Sequence, residues 1–459
     1  WNQYQCMVTF NMSRSASYYE SGIGRGMGFR DSCQDLLGFV HLIPDRARER
    51  LLDIAATQFE DGSAYHQYQP LTKKGNMDIG SGFNDDPLWL IAGCAAYIKE
   101  TGDFSILDEQ VDFDNDSTKA QPLMEHLKRS FDFTVTHLGP HKLPLIGRAD
   151  WNDCLNLGGG ESAMVSFLHY WALQNFIELA EYLNRTEDAE HYKKVAEKVK
   201  AACDRELWDK EWYIRGITKK GKKIGTMEDE EGKVHLESNA WAVLSGAADH
   251  DKAVKAMDAV DKYLYTPYGI LLNTPAYTKP DTSIGFITKV YPGLKENSAI
   301  FSHPNPWAWA AECKLGRGDM AMKYYDALCP YWQNDMIEIR ESEPYSYCQF
   351  VVGKDHTAFG RARHPFMTGS GGWAYFSATR YMLGIRPDFD TLEIDPCIPA
   401  DWKEFKAIRN WRGAVYHIHI NNEAGVMKGV KEIYVDHEKV ETIPQMQAGT
   451  EHFVEIVMG

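Results

Sequence analysis

The hydrophobic period of this chain changes once, near Pro387, and this change constrains the fold more than any other feature of the sequence. From about residue 30 to residue 385, apolar residues recur at helical spacing between connectors rich in glycine and proline. Beyond Pro387, apolar and polar residues alternate, as they do in strands with one buried face. The sequence therefore predicts a large helical unit followed by a small β domain.

The helical part divides into separate amphipathic segments. One helix is predicted to open at Asp85-Asp86-Pro87 and to end at Thr101-Gly102-Asp103, since proline favours a helix start and glycine a helix end. Further helices are predicted over 161–183, 188–207, 240–248, 318–327 and 371–383, and strands over 391–394, 415–420, 432–435 and 452–457. Successive helices joined by long loops indicate a toroid of paired helices whose loops form a site at one end. These loops are rich in Trp and Tyr, which suits either sugar binding or ordinary packing.

Composition argues against several classes of function. A net charge of -16 argues against a nucleic-acid partner, which would require a basic surface. A mean hydropathy of -0.43 and the lack of any apolar run of about 18 residues argue against a membrane span. The nine cysteines are scattered singly without a CxxC pair, as is typical of reduced thiols in a cytoplasmic protein. The chain starts at Trp1 without an initiator Met, and we expect part of the natural chain to lie upstream.

The densest group of reactive side chains is the segment GRADWNDCLN, residues 147–156. Its two carboxylates, Asp150 and Asp153, flank Trp151. A carboxyl group against an indole loses solvation, which raises its pKa and suits it to general-acid catalysis. A turn in which Asp and Asn cap backbone amides is the alternative interpretation.

Three further segments could bind an anion or a sugar. Ser13-Arg14 together with the segment GIGRGMGFRD, residues 22–31, places arginines among glycines, so that guanidinium and backbone groups can approach a ligand closely. The segments 295–307 and 367–373 add a histidine, a hydroxyl and glycine N–H groups at a helix start. A flexible loop and a structural histidine are the alternatives. The sequence contains no HExxH, GxSxG, Walker or metal-ligand pattern, and we expect neither a metal nor a cofactor.

These four segments, in this order, resemble the cellobiose/chitobiose phosphorylase family of inverting glycoside phosphorylases. The motifs that carry the resemblance are WNQYQCM, GFRDSCQD, EDGSAYHQYQPLTKKG, GRADWNDCLNL and LGRGDMA, and the likeness extends from Trp1 to the C-terminus. The resemblance implies an (α/α)6 barrel, expected over 1–387, and a C-terminal β-sandwich domain, expected over 388–459. The N-terminal β-sandwich of that family is expected to be missing from this chain.

The resemblance implies a role for each matching position. Asp153 is expected to be the general acid that protonates the leaving glycosidic oxygen. The ligands of the sugar that becomes the 1-phosphate are expected to be Arg25, Asp31, Trp151 and Gln349. The expected phosphate clamp comprises Arg14, His303, Thr368 and Gly369. The expected contacts of the acceptor sugar are Lys295 and Glu296.

The implied reaction is phosphorolysis of a β-linked, cellobiose-like glucosyl disaccharide to α-glucose 1-phosphate and a free acceptor sugar. An inverting hydrolase needs a second carboxylate as a base for water. Phosphate is already an anion with nucleophilic oxygens, so a clamp that positions it replaces the base. The expected partners are the disaccharide, inorganic phosphate as a substrate, a second copy of the chain in a homodimer, and the missing N-terminal domain.

Two departures from the cellobiose-specific pattern lie on the acceptor side. Where such members of the family carry Glu and Tyr, this chain has Phe286 and Val290, with Lys289 beside them, and the loop after Leu157 is short. We therefore expect an acceptor with an acyl, apolar or acidic feature, such as N-acetylglucosamine or gluconate, to be better than glucose. The alternatives are a chitobiose- or cellobionic-acid-type phosphorylase, an inverting hydrolase with Glu296 as base, and a carbohydrate-binding protein without catalysis.

Overall fold

The computed structural model describes residues 1–14 and 26–459, and this part of the chain is mainly α-helical with small sheets, as predicted. Its helices are α1 (Asn2–Met12), α2 (Phe29–Leu37), α3 (Pro44–Ala55), α4 (Asp86–Thr101), α5 (Leu123–Thr136), α6 (Ala163–Tyr182), α7 (Thr186–Glu206), α8 (Leu236–Leu244), α9 (His250–Leu264), α10 (Asn305–Lys314), α11 (Gly318–Leu328), α12 (Ile337–Arg340) and α13 (Ser370–Ser377). Short 3₁₀ turns lie at Val40–Leu42, Phe104–Asp108, Phe286–Lys289 and Trp332–Met336, and a π-helical turn lies at Ala378–Met382.

Four of the six predicted helices agree with the observed ones to within two residues. The segment predicted as one helix over 371–383 is observed as α13 followed by the π-helical turn at Ala378–Met382. The helix predicted over 240–248 begins at Leu236 and ends at Leu244, so both of its predicted bounds were wrong by four residues. Its first turn contains Glu237, Ser238 and Asn239, which are fully buried although they are polar and read as loop residues in the sequence. Its end precedes Gly246, whose positive φ of 80° is accessible to glycine at little cost.

Burial separates two kinds of helix. Helix α8 is buried along its whole length, whereas α7 buries a stripe at three- and four-residue intervals. The members of that stripe are Ala189, Tyr192, Ala196, Val199 and Cys203. A helix that is apolar on all sides must be covered by other helices. Accordingly, α7 packs on α6, α9 on α8, and α11 on α10.

The covered helices contact one another in cyclic order. Helix α2 contacts α4, α4 contacts α6, α6 contacts α8, α8 contacts α10, α10 contacts α13, and α13 contacts α2. Four buried tryptophans, Trp89, Trp241, Trp307 and Trp373, come from α4, α8, α10 and α13. They pair edge-to-face with ring centroids 5.4 to 6.2 Å apart, a geometry that stabilises aromatic pairs beyond area burial. One aromatic cluster therefore joins four of these helices.

Short strands connect the helices. They are β1 (Met27–Gly28), β2 (Gln67–Gln69), β3 (Lys74–Gly75), β4 (Gln110–Phe113), β5 (Asp116–Pro122), β6 (Glu161–Ser162), β7 (Trp208–Asp209), β8 (Trp212–Tyr213), β9 (Gly216–Ile217), β10 (Lys223–Ile224), β11 (Val234–His235), β12 (Tyr265–Thr266), β13 (Gly269–Ile270), β14 (Asn273–Thr274), β15 (Ile300–Phe301), β16 (Cys348–Val351) and β17 (Ala362–Pro365). Towards the C-terminus follow β18 (Ile385–Pro387), β19 (Thr391–Ile394), β20 (Glu404–Trp411), β21 (Ala414–Asn421), β22 (Val430–Val435), β23 (Glu438–Val440), β24 (Ile443–Pro444) and β25 (Glu451–Met458).

The C-terminal strands form two sheets. One has three strands in the order β18-β19-β24, and the other has five in the order β20-β21-β25-β22-β23, with β21 and β25 parallel. Leu392 and Ile394 from the first sheet share a hydrophobic cluster with Tyr416 and Ile456 from the second. This cluster is separate from the large one formed by the helices. The predicted division at 387/388 stays a prediction.

The C-terminal sheets contact the carboxyl end of α4. Arg412 Nη2 donates to the Lys99 carbonyl at 3.0 Å, Trp411 Nε1 donates to the same carbonyl at 3.2 Å, and Arg409 pairs with Glu100 at 2.6 Å. The last carbonyls of a helix lack partners within the helix, and a nearby cation is favoured by the helix dipole. These contacts place the sheets at the carboxyl end of α4.

The described residues contain neither a disulfide nor a membrane-spanning helix. All nine cysteines are free thiols, and every one except Cys154 is buried. Among residues 1–14 and 26–459, no helix combines the length and the apolar character that crossing a membrane would require.

Candidate active site

The segments predicted to carry chemistry lie just before the amino ends of the covered helices. Asp31 is in the first turn of α2. Asp153 lies in the loop before β6 and α6, His303 lies two residues before α10, and Thr368 lies two residues before α13. Helices that pack side by side with their amino ends together bring these loops to one place.

One cavity of about 210 Å³ collects the predicted site residues. Ten of the eleven line it, namely Arg14, Asp31, Trp151, Asp153, Lys295, Glu296, His303, Gln349, Thr368 and Gly369. The eleventh, Arg25, lies outside the described residues. Four other lining residues had no predicted role, namely Arg30, Asn152, Phe301 and Met367.

The two carboxylates that flank Trp151 have different surroundings. Asp150 is fully buried and accepts hydrogen bonds from Arg215 Nη2 at 2.7 Å and from Ser162 Oγ at 2.6 Å. The Asp153 side chain is 49% exposed and lines the cavity. Asp150 therefore holds the loop together, and Asp153 is the carboxylate of this pair that a ligand can reach.

Arg30 contacts both Asp150 and Asp153. The sequence analysis did not predict this role. One of its nitrogens, Nη2, donates to the Asp153 carboxylate. The other, Nη1, donates to Asp85 Oδ1 at 3.1 Å and to the Asp150 carbonyl at 2.7 Å. Burial opposes the charge on Arg30, but the surrounding carboxylates, Asp153 first, raise its pKa well above the usual range. Its position beside Asp31 in an arginine- and glycine-rich segment was the available signal.

Arg14 and Gly369 meet at the next part of the wall. Arg14 Nη1 donates to Asp35 Oδ2 at 2.5 Å, and Arg14 Nη2 lies 3.5 Å from Asp31 Oδ1. Burial raises the pKa of Asp35 to about 6, against the opposing effect of Arg14. A Cβ at Gly369 would lie 2.6 Å from His303 Nδ1 and 2.8 Å from Arg14 Nη2. The absence of a side chain at Gly369 therefore allows all three groups to converge.

Two neighbours hold His303 in one tautomer. His303 Nε2 lies 3.0 Å from Gln34 Oε1, and Trp373 Nε1 donates to the same oxygen at 2.9 Å. An indole N–H can only donate, so this network assigns the Gln34 atom as an oxygen and places a proton on His303 Nε2. Burial, and then the charge of Arg14, lower the pKa of His303 well below its usual range. The neutral ring therefore presents Nδ1, beside Gly369, as a hydrogen-bond acceptor.

An aromatic wall and one polar pair form a further part of the cavity. The Trp151 ring lies edge-to-face on Phe301 at 5.4 Å and on Trp307 at 5.1 Å, measured between ring centroids. Lys295 Nζ donates to Gln349 Oε1 at 2.6 Å. These contacts give the ring and the two long side chains defined positions.

Glu296 and Asn152 have buried partners. Glu296 Oε2 accepts the Cys154 thiol at 3.2 Å, and burial raises the pKa of Glu296. Asn152 Nδ2 donates to Glu237 Oε1 at 3.2 Å, which links the loop to the start of α8. Glu237 was missed from the sequence because a fully buried glutamate cannot be told from a solvated one by its neighbours in the chain.

The acceptor-side residues lie beside the cavity rather than in its wall. Phe286 and Lys289 belong to a 3₁₀ turn, and neither they nor Val290 line the cavity. The Ile287 N–H in this turn donates to the Cys154 carbonyl at 2.8 Å, so the turn adjoins the residue after Asp153. The expected effect of this turn on acceptor choice stays a prediction. Within residues 1–14 and 26–459, no group of three or more His, Cys, Asp or Glu is placed to hold a metal ion.

Comparison with solved structures shows a shared fold. The chain aligns over 99% of its length with 43% of a GH78 family rhamnosidase of Bacillus sp. GL1, with a TM-score of 0.58. The sequence identity is 11%, so the likeness concerns the fold alone.

Sequence comparison with curated proteins gives nearer relatives. All of this chain aligns with about 60% of the N,N'-diacetylchitobiose phosphorylases of Vibrio furnissii and Vibrio proteolyticus, at 47% identity to each. A solabiose phosphorylase of Paenibacillus borealis is 33% identical over 96% of this chain and 57% of its own length. The chain thus spans about 60% of the length of the first two relatives. The family model described as "Glycosyl hydrolase 94 superfamily, catalytic domain" matches residues 1–384, and the chain belongs to this family.

Proposed function

We propose that this chain carries the catalytic site of an inverting glycoside phosphorylase. The observation that carries the proposal is the single cavity in which an exposed carboxylate, Asp153, meets the anion-binding groups of Arg14, Thr368 and His303. Inversion by phosphate requires one acid and one anion seat on opposite sides of the anomeric carbon. The names of the curated relatives also support this reaction.

In the proposed reaction, Asp153 gives its proton to the glycosidic oxygen as the bond from that oxygen to the anomeric carbon breaks. A phosphate oxygen forms the new bond to the same carbon from the other face, so a β-linkage yields an α-sugar 1-phosphate. Asp31, Trp151 and Gln349 hold the donor sugar, with Arg25 as a further proposed ligand outside the described residues. Lys295 and Glu296 contact the acceptor sugar. Arg30 holds the Asp153 carboxyl at the cavity wall.

The phosphate seat combines Arg14, the Thr368 hydroxyl, His303 and the Gly369 backbone at the amino end of α13. Helix amino ends and guanidinium groups both favour an anion. Because His303 Nδ1 is an acceptor, it requires a donor from the ligand. We therefore propose that phosphate binds as hydrogenphosphate, with its P–OH group donating to His303 Nδ1. The remaining oxygens face Arg14 and the anomeric carbon, and their alignment is a positioning effect.

A hydrolase is the second candidate, with Glu296 as the base. A hydrolase needs no anion seat, whereas Arg14, Thr368 and Gly369 line the same cavity as Glu296. Its carboxylate also accepts the thiol of Cys154, the residue next to the proposed acid. These two observations favour phosphate over water as the nucleophile.

For the substrate, we propose a β-linked disaccharide that contains N-acetylglucosamine. The chain is 47% identical to two N,N'-diacetylchitobiose phosphorylases, compared with 28% to a cellobionic acid phosphorylase of Neurospora crassa. The exposed Phe286 next to the cavity suits an acyl group better than an additional hydroxyl. A cellobiose-like glucosyl disaccharide is the second candidate substrate.

The family resemblance supports further proposals about architecture. We propose that residues 1–387 form an (α/α)6 barrel, with the cyclic helices inside, and that residues 388–459 form a β-sandwich domain. We also propose a homodimer that works with an N-terminal β-sandwich domain. The free thiols support a cytoplasmic location.

The direct test is to incubate the protein with N,N'-diacetylchitobiose or cellobiose, with and without phosphate, and to follow disaccharide loss. The proposal predicts turnover that depends on phosphate and is faster for the N-acetylated disaccharide. Turnover of equal rate without phosphate would support the hydrolase. Binding of disaccharide without turnover in phosphate would support a carbohydrate-binding protein.

A further inference from the structure

A second cavity lies at the carboxyl ends of the covered helices. Its volume is about 510 Å³, and it is lined by Leu37 at the end of α2, Lys99 in the last turn of α4, and Lys314, the last residue of α10. Helix α10 has ten residues, a length of about 15 Å, and its other end adjoins His303. The two cavities share no lining residue among those described. They are therefore separate sites at the two ends of the same helices.

Aromatic side chains form one part of the second cavity. Tyr170 and Trp171 on α6 line it, together with Phe376 from α13. Trp171 is half-buried, and it packs edge-to-face on Trp89 and Trp241 with centroid distances of 6.4 and 5.5 Å. These contacts give the indole a defined position while it still faces the cavity. Ligand cavities are commonly lined by aromatic rings with a few polar groups between them.

Two polar groups in the cavity are available to a ligand. Among residues 1–14 and 26–459, the Lys314 ammonium makes no ion pair or hydrogen bond, and the Gln174 amide makes no side-chain hydrogen bond. A cation at the end of α10 is favoured by the helix dipole, which accounts for the charge of Lys314 but not for a neighbouring amide on α6. Both groups can donate, and the Gln174 amide can also accept.

Acceptors lie across the same cavity. Glu178 and Asp388 line it, and each forms an ion pair with Lys99 Nζ, at 2.9 and 3.1 Å. Each carboxylate keeps further lone pairs that can accept from other donors. The carboxyl ends of several helices add partial negative charge there. Arg380 and Arg386 also line the cavity, and they pair with Glu100 and Glu393 at 3.6 and 2.5 Å, so a ligand meets both cations and carboxylates. A neutral ligand with many hydroxyls can donate to the carboxylates and accept from Lys314.

We propose that this cavity is an accessory site for a neutral carbohydrate of one or two pyranose rings. The apolar face of a ring lies against Trp171, and its hydroxyls bond Gln174, Lys314, Glu178 and Asp388. The volume of about 510 Å³ falls within the range of about 300–1,000 Å³ that is typical of small-molecule sites. This site takes no part in the phosphorolysis proposed above.

The test is calorimetric titration of the 459-residue chain with glucose, N-acetylglucosamine and cellobiose. The variant Asp31→Asn weakens sugar binding at the first cavity and so isolates the second one. In this background, Lys314→Met and Gln174→Leu should each weaken the remaining binding by about tenfold. Lys255→Met, an exposed lysine on α9, is the matched control and should leave binding unchanged. Neither Gln174 nor Lys314 is in the buried core, so all variants should fold.

Hydrogen–deuterium exchange locates the binding. The sugar should protect residues 170–178 and 378–388 from exchange in the Asp31→Asn variant. Three results would overturn the proposal: no residual binding in that variant, binding that Lys314→Met and Gln174→Leu leave unchanged, or a clear preference for glucose 1-phosphate over glucose. Phosphorolysis, measured on Lys314→Met alone, is expected to equal that of the unmodified chain, so a failure of this proposal and a failure of the proposed reaction remain distinguishable.

Discussion

The two ends of the covered helices differ in the charges that line them and in the direction of the helix dipoles. At the amino ends, Arg14 and neutral His303 surround a small cavity with the dipoles of α10 and α13 directed at it. At the carboxyl ends, lysines and arginines are paired mainly with carboxylates around a larger cavity, and Arg412 caps α4. Helix dipoles favour an anion at the first end and a cation at the second. The orientation of the helices thus explains why phosphate is expected at one end only.

The largest effect is expected from the proposed acid at the amino ends. Asp153→Asn should reduce phosphorolysis by roughly 10²–10⁴-fold, because it removes the proton donor. Its melting temperature should fall less than that of Asp150→Asn, since the Asp153 side chain is half exposed and the buried Arg30 keeps Asp85 as a carboxylate partner. Rate measurements and thermal unfolding on the same variant check both statements.

Asp150→Asn is the matched control for this pair of carboxylates. It removes the nearer carboxylate partner of the buried Arg215 and leaves Glu237 at 3.6 Å, so it should destabilise the fold by about 3–5 kcal/mol. If Asp153→Asn stayed active while Asp150→Asn folded normally and lost activity, Asp150 rather than Asp153 would be the general acid.

The next effect concerns the phosphate seat. His303→Ala and Thr368→Ala should each raise the KM for phosphate by about tenfold, a loss of roughly 1.4 kcal/mol, while the KM for disaccharide changes little. The reason is that both side chains lie at the anion-binding part of the wall. Steady-state kinetics with each substrate varied in turn would show this, and equal rises in both KM values would assign the two residues to the general architecture of the site.

A smaller effect is expected where a methyl group alone is added. Gly369→Ala places a Cβ 2.5 Å from His303 Cε1 and should displace the ring, at a cost of about 1–3 kcal/mol that appears as a higher KM for phosphate. Gly372→Ala, in the same helix, brings the new Cβ no closer than 3.7 Å to any neighbour and is the control. Equal KM values for the two variants would contradict the convergence of Gly369 and His303.

The smallest effect is on the pH dependence of stability. The pKa of His303 is lowered in the folded chain by burial and Arg14, whereas an unfolded histidine titrates near about 6.5. Below that pH the unfolded state binds more protons, so this histidine destabilises the fold as pH falls, by at most about 1.4 kcal/mol per pH unit. His303→Gln should therefore flatten the fall in unfolding free energy between pH 7 and pH 5.

Urea unfolding at several pH values measures this change in slope. His41 lies near the carboxyl end of α2, and its pKa is lowered to about 3, with burial as the main cause. His41→Gln should therefore also flatten the dependence of unfolding free energy on pH. The exposed His250→Gln is the control. A slope for His303→Gln equal to that of the unmodified chain would show that His303 takes up a proton in the folded state.

The sequence predicted which residues meet, but not how they are held. Ten residues singled out by motif position line one cavity, and several of them, such as Asp153, His303 and Thr368, lie in loops before a covered helix. The tautomer of His303 depends on Gln34 and Trp373, which are distant in the chain and brought together only by packing. The start of α8 was misplaced because Glu237, Ser238 and Asn239 are buried polar residues, for which periodicity gives no signal. No motif in the sequence predicted the second cavity.

In the proposed reaction, phosphate attacks the anomeric carbon at the amino ends of the helices while Asp153 protonates the leaving sugar. Early product analysis by ³¹P and ¹H NMR tests it most directly, with N,N'-diacetylchitobiose and phosphate as substrates. We expect an α-sugar 1-phosphate as the first product, formed in equal amount to the free acceptor sugar and strongly reduced in Asp153→Asn. A β-sugar 1-phosphate, or free sugars without any sugar phosphate, would contradict it.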